Sequence, residues 1–175
     1  VPYARLEALK HVSDSSNIIL CLDGDSIPAS NWVEVMSNIL RKGNTSLVGS
    51  LVLFKGPVIS SFMNMLHRVR SSRRGIDAVQ WIWGPSFGFP REYLSQINRY
   101  LELSITMQSK LKLVSSLEDY IRAHYLFANN SAVSVELTNK TYVYTYVKEK
   151  TSIELIQRTR TNLSDKEKVD TYFSH

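Results

Sequence analysis

Five apolar residues in a row, Ile18-Ile19-Leu20-Cys21-Leu22, run directly into Asp23-Gly24-Asp25-Ser26. A run this short, without polar alternation, predicts a strand buried on both faces inside a layered α/β sheet. It brings two carboxylates to the C-terminal end of that strand, the edge at which open α/β sheets hold ligands. Gly24 allows the chain to turn sharply between them. Two acids so placed repel each other, and a hard divalent cation shared with phosphate oxygens relieves the repulsion. Asp23 and Asp25 are therefore candidate ligands for Mn²⁺ or Mg²⁺. The bland alternative is a turn whose Asp side chain satisfies backbone donors, but such a turn needs one acid and not two.

The rest of the chain alternates helix and strand. Apolar spacing at Tyr3, Leu6, Leu9 and Val12 predicts a helix over residues 3–13. Ser30 is the expected N-cap of a helix reaching Lys42, with Gly43 as its stop. Strands are expected at 46–54, 79–83, 86–89, 132–137 and 141–147, the last two as an antiparallel pair. Helices are expected at 57–73, 91–98, 117–127 and 153–162, and 101–114 reads either way. The expected fold class is α/β, with a mixed, mainly parallel central sheet and flanking helices. With 175 residues and few Gly and Pro, the chain reads as one domain, 1–175. No run approaches the roughly 20 apolar residues of a membrane span. The lone Cys21 reads as a core thiol and fits a reducing compartment, so a cytoplasmic location is expected. His11, His67, His124 and His175 lack metal-ligand spacing.

Net charge is +5, and residues 55–100 alone carry seven basic groups against two acidic ones. Such a stretch suits a polyanionic partner: a nucleotide diphosphate, nucleic acid or an anionic membrane face. Its densest part is Arg68, Arg70, Arg73 and Arg74. Aromatic residues are not interleaved there, so base stacking is not expected. A peripheral contact with an anionic membrane is the alternative use.

Three further groups carry chemistry. In Leu117-Glu118-Asp119-Tyr120-Ile121-Arg122, one carboxylate can act as general base, with Arg122 three residues on to orient it. Adjacent acids could also simply favour a helix dipole. In Trp81-Ile82-Trp83-Gly84-Pro85-Ser86, aromatic faces beside small residues can wall a sugar ring, or can form a core cluster. Gln157-Arg158-Thr159-Arg160 offers an amide and two guanidinium groups for diphosphate oxygens.

In this order the motifs resemble a GT-A glycosyltransferase of the large family 2, the family of cellulose, chitin and hyaluronan synthases. Residues 4–25 are similar to its helix, strand and DxD stretch. Residues 83–94 resemble its small-residue turn and Arg-Glu helix. Leu117-Glu118-Asp119 resembles its Glu-Asp pair, and residues 157–160 resemble its Gln-x-x-Arg-Trp motif. The resemblance implies an inverting, metal-dependent hexosyltransferase that moves a sugar from a nucleotide-diphosphate donor to an acceptor hydroxyl on a glycan, lipid-linked or protein acceptor. It implies Asp119 as base beside Glu118, and Asp23 and Asp25 as metal ligands. Arg5, Gln157, Arg158 and Arg160 would meet the donor diphosphate, and Trp83 and Gly84 would border the acceptor. Thr161 stands where the family has Trp, so a processive-polymer role is not expected. The family's first strands, which carry most nucleobase contacts, have no counterpart. The chain therefore corresponds to the C-terminal two-thirds of that fold, expected either as part of a longer protein or as a reduced variant. Two other classes compete: a haloacid-dehalogenase-type phosphatase with Asp23 as nucleophile and Mg²⁺ beside it, and a non-catalytic basic module for an anionic membrane or nucleic acid.

Overall fold

The computed structural model describes residues 2–56, 64–65, 82, 85–113, 121, 125, 134–146 and 152–174, with the side chains of 152–160 excepted. Helix α1 spans Pro2–Leu9, β1 Ile18–Leu22, β2 Ser26–Pro28, α2 Trp32–Arg41, β3 Leu47–Lys55 and β4 Ser86–Pro90. After β4 come a 3₁₀ turn, Arg91–Tyr93, then α3 (Leu94–Lys110), β5 (Val135–Tyr146) and α4 (Ser152–Phe173).

The five strands form one mixed sheet in the order β1-β4-β3-β5-β2. Among the described strands, pairing is parallel only between β3 and β5. β1 with β4, β4 with β3, and β2 with β5 are all antiparallel. The chain is thus α/β with a mixed sheet, but mainly parallel pairing is not what the described strands adopt. The reasons are β4, which runs antiparallel to both β1 and β3, and β2, which runs antiparallel to β5.

Both faces of the sheet are packed, most fully around β3; β1, expected to be buried on both faces, is an edge strand in which only Ile19 is buried and Leu22 is exposed. On one face Ile19, Leu47, Phe87, Phe89, Val135 and Leu137 meet Leu9 of α1 and Ile97, Tyr100 and Leu101 of α3. On the other, Val48, Val52 and Val143 meet Trp32, Met36, Ile39 and Leu40 of α2, with Ile18 and Leu20 beside them. A third cluster joins Met107 of α3 to Leu113, Ile121 and Val169 of α4. Gly88 is required by packing: a Cβ there would lie 2.5 Å from Leu20 Cδ2 and 3.2 Å from the Ile19 carbonyl oxygen. The second face also holds a buried polar chain. Trp32 Nε1 donates to Ser86 Oγ at 2.8 Å, and Ser86 Oγ shares a hydrogen bond with Ser50 Oγ at 2.6 Å.

Several elements differ from the sequence reading. α1 stops at Leu9, and Tyr3 points to solvent at 70% exposure. Asn31, not Ser30, occupies the N-cap of α2, without a side-chain cap bond. Its side chain bonds instead to β5, where Thr141 Oγ1 donates to Asn31 Oδ1 at 2.9 Å. Gly43 does end α2, in the left-handed region at φ 74°. Residues 94–110 form one helix, because Ile97, Tyr100, Leu101, Ser104 and Met107 line a single buried face across the ambiguous stretch. The expected antiparallel pair at 132–147 is one strand, β5. Its polar centre, Asn139-Lys140-Thr141, is an irregularity in the ladder with β3, where Ser50 faces Thr138 and Leu51 faces Tyr142. α4 runs well beyond residue 162, to Phe173. The expected helices at 57–73 and 117–127 and the strand at 79–83 fall largely outside the described residues.

β1 and β2 lie at opposite edges of the sheet, yet only Asp23, Gly24 and Asp25 separate them. A flat five-stranded sheet holds its edges about 19 Å apart. Four residue steps span at most about 14 Å. The Ser26 N–H also donates to the Asp23 carbonyl at 3.0 Å, which closes a β-turn and shortens the link further. The sheet must therefore curl until its edges approach, with the two acids in the joint.

Candidate functional site

The acidic turn sits at the C-terminal end of β1, where the sequence reading put it. Its two carboxylates differ in their surroundings. Asp23 is anchored: its N–H donates to the Pro85 carbonyl at 3.2 Å, ahead of β4. Its Oδ1 accepts a charge-assisted hydrogen bond from the Arg5 guanidinium. Both side chains are largely covered, Arg5 at 11% and Asp23 at 26% exposure. Arg5 also lies over the Phe87 ring, 5.3 Å from its centroid. α1 thus projects a cation onto the end of β1, held by an acid on one side and an aromatic face on the other. Asp25 is exposed and makes no ion pair among the described residues. Beside it, Ser26 Oγ is buried with no hydrogen-bond partner among the described residues.

Gly24 does not have the conformational role expected of it. Its φ is not in the left-handed region, and a Cβ there would meet nothing within 4 Å. The turn is set by the Ser26–Asp23 backbone bond and by the strands on either side.

The donor chemistry here is two hard carboxylate oxygen groups, one exposed and one shared with Arg5. Among the described residues, no group of three or more His, Cys, Asp or Glu could cage a metal. Two carboxylates do suit Mg²⁺ or Mn²⁺ held jointly with substrate phosphates, the usual mode for such ions. The residues therefore fit a metal shared with a diphosphate. His11 is exposed and not part of the site.

Arg5, expected at the donor diphosphate, pairs with Asp23. The other candidates, Glu118, Asp119, Trp83, Gly84 and the cluster at Arg68 to Arg74, lie outside the described residues. Gln157, Arg158 and Arg160 fall in the first turns of α4, where only the backbone is described.

One residue at this end of the sheet was not singled out from the sequence. Lys55 is the last residue of β3 and pairs with Tyr146, the last residue of β5. Its Nζ lies 4.2 Å from the centroid of Tyr144 and 6.0 Å from that of Tyr146. The available signal was its position, a cation ending an apolar strand as Asp23 follows β1. A cavity of about 480 Å³ lies at the other end of the β3–β5 ladder, lined by Lys42, Thr45, Ser134, Glu136 and Lys140 among others, and contains none of the candidate residues.

No known family model matches the sequence, and no curated protein matches it. Among the described residues, no helix is long and apolar enough to cross a membrane.

Proposed function

We propose that this chain forms the diphosphate-binding and catalytic part of an inverting, metal-dependent GT-A glycosyltransferase resembling family 2. The observation that carries the reading is the turn joining β1 to β2, which holds Asp23 and Asp25 together at the C-terminal end of an apolar, half-buried edge strand. In this reading Asp25 and Asp23 hold Mn²⁺ or Mg²⁺ against the donor diphosphate. When bound, the metal supplies neutralisation of the charge that builds on the leaving nucleoside diphosphate. Arg5 orients Asp23 through their ion pair. Gln157, Arg158 and Arg160 hold the diphosphate, and Trp83 and Gly84 border the acceptor. Asp119, beside Glu118, takes the proton from the acceptor hydroxyl. The hydroxyl oxygen then attacks the anomeric carbon from the face opposite the diphosphate. The anomeric C–O bond breaks with its electron pair going to the diphosphate, and the centre inverts. The site would work in the cytoplasm on a glycan, lipid-linked or protein acceptor, with Arg68, Arg70, Arg73 and Arg74 available to an anionic membrane.

The phosphatase alternative asks Asp23 to be a free nucleophile, and its engagement by Arg5 disfavours that role.

The test is a thermal-shift panel of UDP-, GDP-, dTDP- and CMP-sugars with and without Mn²⁺, followed by transfer assays. Metal-dependent stabilisation by one class supports the reading. Asp119→Asn should abolish transfer while metal-dependent donor binding persists; full activity in that variant would sink the base assignment.

A further inference from the structure

The register of the sheet brings a second cation to the same end as the acids. Lys55 pairs with Tyr146 across the parallel β3–β5 ladder. On the other side of β5, Ser26 pairs with Thr145, so the next residue back, Asp25, lies at the level of Tyr146. Two strand spacings, about 10 Å, therefore separate the backbones at Lys55 and Asp25. A diphosphate held against Asp25 lies between them, within reach of an extended lysine side chain.

The Lys55 side chain is not loose. It rests on the Tyr144 ring, with Tyr146 beyond it. Tyr142 in turn packs edge-on against Tyr144, with ring centroids 4.9 Å apart, which fixes the platform. A cation on aromatic faces is attracted by the ring quadrupole yet keeps its N–H donors for other acceptors. Among the described residues no carboxylate pairs with it.

Charge balance gives this cation a purpose. Arg5 already neutralises Asp23. A divalent ion shared by Asp25 and a diphosphate leaves the phosphate oxygens with net negative charge. Lys55 approaches from the β3 side, opposite β1, and supplies a positive charge there.

Resting on the glycosyltransferase reading, we propose that Lys55 is a diphosphate-binding residue, positioned by Tyr144 and Tyr146, that grips the leaving group of the donor from the β3 side. It acts as a compact point charge with several donors, a role lysine commonly fills toward phosphate.

The test uses pyrophosphate with Mg²⁺, because this probe needs no nucleobase contacts. Titration calorimetry on the full chain compares the native protein with Lys55→Met, Lys55→Arg and Tyr144→Leu, each first checked for an unchanged melting temperature. Lys55→Met should weaken Mg²⁺-pyrophosphate binding about tenfold and flatten its salt dependence. Lys55→Arg should keep most of the affinity, and Tyr144→Leu should lose a few-fold through poorer positioning. Native binding that Lys55→Met leaves unchanged would overturn the Lys55 assignment alone. A native chain that binds no pyrophosphate with Mg²⁺ would overturn the diphosphate-site reading, and the assignment with it.

Discussion

The β3–β5 ladder has two halves that behave differently. In the first, residues 47–50 pair with 135–138, and β4 flanks β3 on its other side. Leu47 and Val48 are closed from solvent, and the Ser50–Ser86–Trp32 hydrogen bonds lie beside them. In the second, residues 51–55 pair with 142–146, and β2 replaces β4 as the outer neighbour, now alongside β5. This half ends in an exposed lysine and a tyrosine at 61% exposure. The polar segment Asn139-Lys140-Thr141 divides them. Both halves bury core residues, Val52 and Val143 in the second included, but only the second runs on to side chains at the rim. A single continuous strand serves both because the irregularity at its centre resets the register without ending the ladder.

Three substitutions sharpen or break this contrast. Phe87→Ala removes a fully buried ring beside the first half, and should cost about 3–5 kcal/mol in urea unfolding. A loss below about 1 kcal/mol would mean that the core does not depend on this half. Ser86→Ala strands the Trp32 indole N–H and removes the partner of Ser50, and should cost about 1–3 kcal/mol by the same measurement. Tyr146→Ala, at the exposed end, should stay within about 0.5 kcal/mol of the native chain. A Tyr146→Ala variant as unstable as Ser86→Ala would erase the distinction.

What the sequence made legible follows the same division. β1 and its acidic turn could be read directly, because an apolar run meeting two carboxylates is a local signal. β3 was legible for the same reason, as was Gly43 ending α2. The continuity of β5 was not, since Asn139-Lys140 looks like a turn until Asn31 of a distant helix is seen bonding to it. The length of α4 was hidden by its polar composition: one buried acid, Asp165, pairs with Lys168 at 3.0 Å where an apolar contact would have been the signal. The Arg5–Asp23 pair joins residues on two elements, and motif order alone suggested only that Arg5 lies near the donor. Lys55 acquires meaning only through its register with Tyr146. Apart from the length of α4, these missed features depend on pairing between distant segments, which periodicity in one segment does not encode.

The turn that joins β1 to β2 also bears on the order of assembly. Leu22, on one side of it, is committed to Ser86, and Ser26, on the other, to Thr145. Closing such loops costs entropy that only the finished contacts recover, so pairings this remote form late. Asp23 is anchored to β4 and α1 through the Pro85 carbonyl and Arg5, but the β2 side of the turn is fixed only by pairing with β5. On the proposed reading, cation affinity at this turn would report on completed topology: a chain cut before β5 would keep both acids in its sequence and lose the β2–β5 pairing that fixes one side of the turn.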